Sequence, residues 1–290
     1  MATGCRIEPV ARVKLRDDSG FLSIPARIAG QPVRLMVDTG SDAGLITPEA
    51  VRGLGLASDP DAHVRLLGTG GVGRSTAIAR VSGLSIGTLP LGDVPTPVGA
   101  LPGAPRLDPP VVGFLGGDVL SRFDLDIDIG RATLTLYRVG LPSLACAQPP
   151  AWKGAFTTLP LATHGVRLSL TASLDGHPVS ALLDTGARSR IVSRAAALRI
   201  GVTSDALAGD PGGITSGVDM HEEVYSWHRF RTLAIGREVM RSPVLTVARL
   251  SEPFDMLLGT DWLAERETWI SYATGQVFLR VPVDSRAKGR

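Results

Sequence analysis

Two aspartates carry most of the chemical interest of this chain. Asp38 opens Asp38-Thr39-Gly40 within VRLMVDTGSDAGLI (33–46), and Asp184 opens Asp184-Thr185-Gly186 within VSALLDTGARSRIV (179–192). Each stands where one apolar run ends and another begins, on a turn sharpened by glycine. Gly40 and Gly186 can adopt backbone angles closed to other residues, and their amides can approach the carboxylates. Thr39 and Thr185 can hydrogen-bond across to the opposite turn and lock the two together. Two carboxylates a few ångströms apart do not both ionise easily, so they share one proton and their pKa values split. The ionised partner can then act as general base on a water held between them, while the protonated one polarises a carbonyl. That is machinery for amide hydrolysis without metal or covalent intermediate. Ser41 beside one carboxylate, against Ala187 beside the other, places the resting proton on Asp184.

The elements around the triplets repeat as well. At one constant offset Gly30 and Pro32 match Gly176 and Pro178, and Thr69, Gly71 and Val72 match Thr215, Gly217 and Val218. FLSIPARI and PVRLMV read as strands joined at Gly30-Gln31-Pro32. Thr47-Pro48 starts a short helix. Residues 63–90 return to strand, with a glycine-rich tip over Leu67–Gly73. No lysine stands there and no helix follows, so the tip is a hairpin and not a phosphate-binding loop. The Pro- and Gly-rich stretch 88–112 predicts an irregular loop. Residues 112–120 read as a buried strand, a glycine turn at Gly116 and a helix capped by Asp118. Residues 255–263 repeat this plan with Gly259 and Asp261. In the first lobe the helix after Gly116 is followed by a hairpin in DLDIDIG and ATLTLYRV, where Asp124, Asp126 and Asp128 alternate and face solvent. The segment 140–154 is the best linker, giving an N-terminal lobe over 1–139 and a C-terminal lobe over 155–290. In the second lobe a hairpin leads to Asp184, a helix starts at Ser193, and a glycine-rich segment runs from Gly212 to Gly217.

Composition narrows the classes. With 44% hydrophobic and 20% charged residues among 290, the chain is globular and long enough for two cores. A net charge of +2 with no basic run among aromatics excludes nucleic acid as a partner. No apolar run is long enough for a transmembrane segment. Cys5 and Cys146 form no CxxC pattern and the histidines are scattered, so neither a metal site nor a cofactor is expected. The tryptophans read as packing residues.

An apolar pair before Asp-Thr-Gly, followed later by an apolar pair and glycine before a helix, resembles the aspartic peptidase superfamily. The pattern occurs twice, as Asp38 with Gly116 and as Asp184 with Gly259. Each half resembles a retropepsin subunit, with two subunits fused in one chain as in the pepsin-like enzymes. The resemblance implies an all-β, two-lobed fold with a few short helices, each lobe a retropepsin-like β-barrel. It implies an aspartic endopeptidase acting on a peptide or protein, with Asp38 and Asp184 as the catalytic pair. Thr39, Gly40, Ser41, Thr185, Gly186, Gly116 and Gly259 would support the catalytic loops. Flaps over the cleft would carry Gly68, Thr69, Gly70 and Gly71 in one lobe and Thr215, Ser216 and Gly217 in the other. Asp42 stands where retropepsins use an aspartate to bind substrate backbone, whereas the second lobe has Arg188. No tyrosine occurs in the first-lobe flap, while Tyr225 follows the second flap tip.

Two other classes share these features: a catalytically silent peptide-binding protein, and an envelope assembly protein whose cleft is filled by the 88–112 loop. The small residues before Cys5 fit a trimmed signal sequence, and bacterial proteins of this type suggest the periplasm or cell envelope, with the cytoplasm as alternative. In an exported protein a Cys5–Cys146 disulfide would clasp the first lobe, whose ends are expected to lie close together. The internal pseudo-dimer implies a monomer.

Overall fold

The computed structural model describes residues 6–68, 71–140, 149, 152, 154–216, 222–251 and 253–280. These residues form a mostly β, two-lobed fold with short helices at Pro48–Gly53, Gly117–Leu120, Arg194–Arg199, Ser204–Gly209 and Thr260–Leu263. Cys5 and Cys146 lie outside the described residues.

Each lobe has its own sheet, built around a strand that ends at an aspartate. In the first lobe Gln31–Val37 runs antiparallel to Phe21–Ile28 and parallel to Val111–Leu115. In the second, His177–Leu183 runs antiparallel to Arg167–Leu174 and parallel to Met256–Leu258. Val33, Leu35 and Val37 enter the main core, while Met36 is buried on the opposite face. A near-continuous apolar run suits such a central strand, covered on both sides. Burial on both faces also fixes the register, because a one-residue slip would exchange the faces.

A third sheet joins the halves. Its order is Arg6–Lys14, Thr133–Gly140, Asp124–Asp128, Glu267–Ser271, Gln276–Arg280 and Thr157–Pro160. The seam between halves pairs Leu125 with Ile270 and Asp126 with Trp269. Tyr137, Trp152, Trp269 and Phe278 form a separate aromatic cluster on this sheet.

Three sequence expectations change. Leu89–Pro97 is a strand paired with Gly71–Ile86, so only part of 88–112 is irregular. Asp124 and Asp128 are buried rather than solvent-facing. Asp124 accepts from the Trp269 indole at 3.3 Å and the Ala273 amide at 3.1 Å, and Asp128 accepts from the Arg131 side chain at 3.0 Å. Trp152, Trp262 and Trp269 pack inside, whereas Trp227 is exposed.

Candidate active site

Both aspartates leave their strands in the same way. The Asp38 amide donates to Leu115 O at 3.0 Å, and the Asp184 amide to Leu258 O at 3.1 Å. The parallel partner strand therefore holds the backbone at the point where each turn begins. Gly40 N donates to Asp38 Oδ1 at 3.0 Å, and Gly186 N to Asp184 Oδ1 at 2.9 Å. A further bond runs from Ala187 N to Asp184 Oδ1 at 3.1 Å.

The threonines cross between lobes. Thr39 Oγ1 donates to Leu183 O and Thr185 Oγ1 to Val37 O, both at 2.7 Å. In return Thr39 N donates to Thr185 Oγ1 at 3.0 Å and Thr185 N to Thr39 Oγ1 at 3.1 Å. All four groups lie in a buried seam, where an unmade backbone hydrogen bond is costly.

This seam sets the carboxylates face to face. A Cβ placed on Gly40 would lie 2.5 Å from Asp184 Oδ1, and one on Gly186 would lie 2.5 Å from Asp38 Cγ. Neither glycine takes a positive φ. Space against the opposite carboxylate, not an unusual backbone angle, is what requires glycine at both positions. The two carboxyl groups are within hydrogen-bonding reach of each other. Burial, then the adjacent Asp184 charge, holds the Asp38 carboxyl well above the usual carboxylate range, against the opposing pull of the Gly40 and Ser41 amides. Such a pair holds one proton between them. Ser41 does not decide where it sits, because its hydroxyl donates to Ala43 O at 2.8 Å. Ser41 therefore gives no ground for placing the resting proton on Asp184.

Gly116 and Gly259 are themselves the helix N-caps, with no side-chain cap bond. Asp118 and Asp261 stand in the first turn and do other work. Asp118 Oδ1 accepts from Gly44 N at 3.0 Å, tying down the loop that follows Asp38. At the offset of 146 residues that separates Thr39 from Thr185, Gly44 corresponds to Arg190. Its side chain bonds the Asp261 carboxylate at 3.0 Å. A backbone bond in one lobe is thus a side-chain bond in the other. Gly117 N and Asp118 N also donate to Ser41 O and Asp42 O at 2.8 and 2.9 Å.

Beside the dyad each lobe carries a small apolar cluster apart from the main core. Met36, Leu45 and Phe114 gather Phe21, Leu66, Leu101 and Val111. Leu182, Phe254 and Leu257 gather Ala187, Ile191 and Leu250. Met36 and Leu182 each stand two residues before their aspartate, so the clusters occupy matching places in the two lobes. Each lobe also carries a long hairpin, Ser58–Gly68 with Gly71–Ile86, whose Leu66 packs on the first cluster, and Gly212–Ser216 with Glu222–Arg229. Gly68 pairs with Gly71 at the first tip. Thr69, Gly70 and Gly217 lie outside the described residues, as do the side chains of Thr215 and Ser216. Tyr225 packs on its own hairpin, with its hydroxyl against Gly213.

Asp42 forms an ion pair with Arg167 of the other lobe, at 3.2 Å. Nothing in the sequence singled out Arg167. The equivalent contact on the opposite side joins Arg188 to Phe21, with the guanidinium 5.1 Å from the ring centroid. Tyr272 is a second residue without a sequence signal. Its hydroxyl is buried, has no hydrogen-bond partner among the described residues, and is pushed up in pKa by burial and by the Asp38 and Asp124 charges. Among the described residues no cluster of His, Cys, Asp or Glu could hold a metal ion, and no helix is long and apolar enough to cross a membrane.

The sequence matches the aspartyl protease family over residues 24–119 and 170–262, so each matched region contains one Asp-Thr-Gly turn and one glycine–helix turn. No match is found among curated proteins. The fold is similar to that of an aspartic proteinase from Irpex lacteus, with a TM-score of 0.57 at 11% identity, over 97% of this chain and 99% of that one. With both regions matched, the chain belongs to the aspartyl protease family.

Proposed function

We propose that the protein is an aspartic endopeptidase that hydrolyses peptide bonds with a water activated between Asp38 and Asp184. The observation that carries this reading is the pair itself: two carboxyl groups within hydrogen-bonding reach, one held well above its ordinary pKa by burial and by the other. The ionised carboxylate removes a proton from the water as its oxygen attacks the scissile carbonyl carbon. The protonated carboxyl gives its proton to the carbonyl oxygen, so no full oxyanion forms. Breakdown reverses the roles: a proton passes to the departing amide nitrogen, the C–N bond breaks, and the carboxylic acid product forms. The cross-lobe threonine bonds keep the carboxyls at this separation. The apolar clusters at Met36 and Leu182 receive side chains flanking the scissile bond, and the two hairpins close over the bound peptide. The protein acts as a monomer, with its two lobes in place of two subunits.

Asp38→Asn and Asp184→Asn test this directly. Each is nearly isosteric, and each is expected to abolish hydrolysis while leaving the fold intact. The double variant should lose little more than either single one, because the dyad works as a unit. The rate should fall as pH rises past the raised pKa of the pair, which needs one proton. A statine-type mimic of the tetrahedral intermediate should block the reaction. Hydrolysis that survives either single substitution in purified protein would remove these carboxyls from the mechanism. A protein that binds peptides but never cleaves them from acidic to neutral pH would mark it as a binding module.

A further inference from the structure

The two sides of the dyad are related by a constant offset, yet they carry opposite charge. Asp42 and Arg188 each stand four residues past their aspartate, and each reaches across to the other lobe. On the first side Asp42 is compensated. Its carboxylate pairs with Arg167, which is largely buried and also stacks on Phe254, 5.2 Å from the ring centroid.

The second side lacks that compensation. At the position matching Arg167 stands Phe21, so Arg188 meets a ring instead of an acid. Its side chain is exposed, and its stem lies against Gly20, where an added Cβ would come 2.9 Å from Arg188 Cβ. Among the described residues no carboxylate lies within ion-pairing distance of Arg188. The nearby acids are engaged elsewhere. Asp17 accepts from Gly20 N at 2.7 Å, Asp18 pairs with Arg16 at 2.9 Å, and Asp261 pairs with Arg190 at 3.0 Å.

Phe21 fixes where this cation sits. It belongs to the first-lobe apolar cluster with Met36, Leu45 and Phe114. The guanidinium is therefore stacked on the partly buried edge of that cluster, on a side chain exposed to solvent. A guanidinium held on an aromatic face keeps its N–H donors available for two parallel bonds to a carboxylate. Four residues of chain from Asp184 span at most about 14 Å. An extended peptide covers that distance in roughly four residues.

We propose that Arg188 is a specificity residue that recognises a substrate carboxylate within roughly four residues of the scissile bond, on the side of the first-lobe apolar cluster that Phe21 joins. Two sources present this chemistry: an Asp or Glu side chain, or the terminal carboxylate of the peptide. The inference rests on the peptidase reading, but the test separates the two.

Purified wild type, Arg188→Met and Arg188→Glu are given one peptide library in two forms, with free and with amidated C termini, and products are sequenced by mass spectrometry. The ratio of kcat/KM for acidic over neutral peptides should favour acid in the wild type and fall roughly five- to tenfold in Arg188→Met. Arg188→Glu should reverse it toward lysine or arginine. A preference that survives amidation identifies a side-chain carboxylate, and one that amidation removes identifies the terminus. Cleavage by the wild type with no acidic preference, or a preference unchanged in Arg188→Met, overturns the proposal and leaves the peptidase reading standing. If nothing is cleaved, fluorescence anisotropy of labelled acidic and neutral peptides decides. Tighter binding of acidic peptides that is lost in Arg188→Met supports the carboxylate site and sinks the peptidase reading. Equal binding overturns both.

Discussion

Replacing Thr39 with valine tests what holds the two lobes in register. Valine keeps the shape of threonine, so packing changes little. What disappears is one hydroxyl with two jobs. It donates to Leu183 O at 2.7 Å and accepts from Thr185 N at 3.1 Å. Both partners are backbone groups in the turn that presents Asp184, and neither has water to turn to in that seam. Each buried group left unmatched costs about 1–3 kcal/mol, so Thr39→Val should lose about 2–6 kcal/mol, a large part of the stability of an ordinary domain. Thr39→Ser keeps the hydroxyl and drops one methyl, worth about 0.8 kcal/mol. Guanidinium unfolding followed by tryptophan fluorescence should therefore separate valine from serine by several times the serine effect. The carboxyls are positioned by the same bonds, so kcat should fall by about 10- to 100-fold in Thr39→Val. Thr39→Val and Thr39→Ser agreeing within about 0.5 kcal/mol would refute the reasoning, since the hydroxyl would then hold nothing that matters.

Two further substitutions bear on the site and its support. Gly186→Ala places a methyl 2.5 Å from Asp38 Cγ and should cost about 1–3 kcal/mol through overpacking. It should also nearly abolish hydrolysis by displacing Asp38, while Gly53→Ala, on a short helix with no positive φ and nothing near the added methyl, serves as the comparison in the same peptide assay. Asp126 is pushed up to about 7 by burial and then by the Glu267 charge, although the Trp152 indole donates to it at 3.3 Å. A folded pKa above the unfolded one stabilises below about pH 4 and is lost as pH rises through about 7. Asp126→Asn should therefore be more stable than wild type at pH 8, by on the order of 4 kcal/mol, with the gap closed at pH 4. Unfolding curves at the two pH values check this, and equal gaps would contradict it.

What the sequence could show was local and repeated. The Asp-Thr-Gly turns, their apolar approach strands and the glycine–helix turns occur twice, and chance agreement at both sites is hard to sustain. Thr47 and Ser193 cap their helices as local rules require, accepting from Ala50 N at 3.3 Å and Ala196 N at 3.0 Å. The misses arise where a distant segment decides. Leu89–Pro97 has the composition of a loop, but among the described residues it pairs along one side, with Gly71–Ile86. An edge strand tolerates prolines that a central one excludes, and composition cannot say which kind a segment will be. Asp124 and Asp128 alternate like an exposed face, yet Glu267–Ser271, from the other half of the chain, lies against that strand. Ser41 stands beside a carboxylate in sequence but turns to Ala43 O, a rotamer choice that residue order does not fix. Arg167 is far from any motif and gains its role only because the lobes meet at Asp42.

Fusing two related halves removes a constraint that a symmetric pair of subunits must obey. In an isologous pair every residue appears twice at equivalent places, so a cleft on the axis reads the same from either end. Here the turns that hold the carboxyls remain equivalent down to the distances of their threonine bonds. Their surroundings have diverged in pairs. Asp42 faces Arg167, and Arg188 faces Phe21. Exchanging only one member would break a contact: arginine at 42 would face Arg167, a like-charge clash, and aspartate at 188 would lose its ring partner. A change at one position thus demands a change at its partner in the other lobe. The same holds where Gly44 gives Asp118 a backbone bond and Arg190 gives Asp261 a side-chain bond. In the proposed peptidase the matched turns hold two carboxyls that share one proton. The unlike flanks would let such a cleft tell the two ends of a peptide apart, because a peptide has a direction and a symmetric cleft cannot distinguish its two ends.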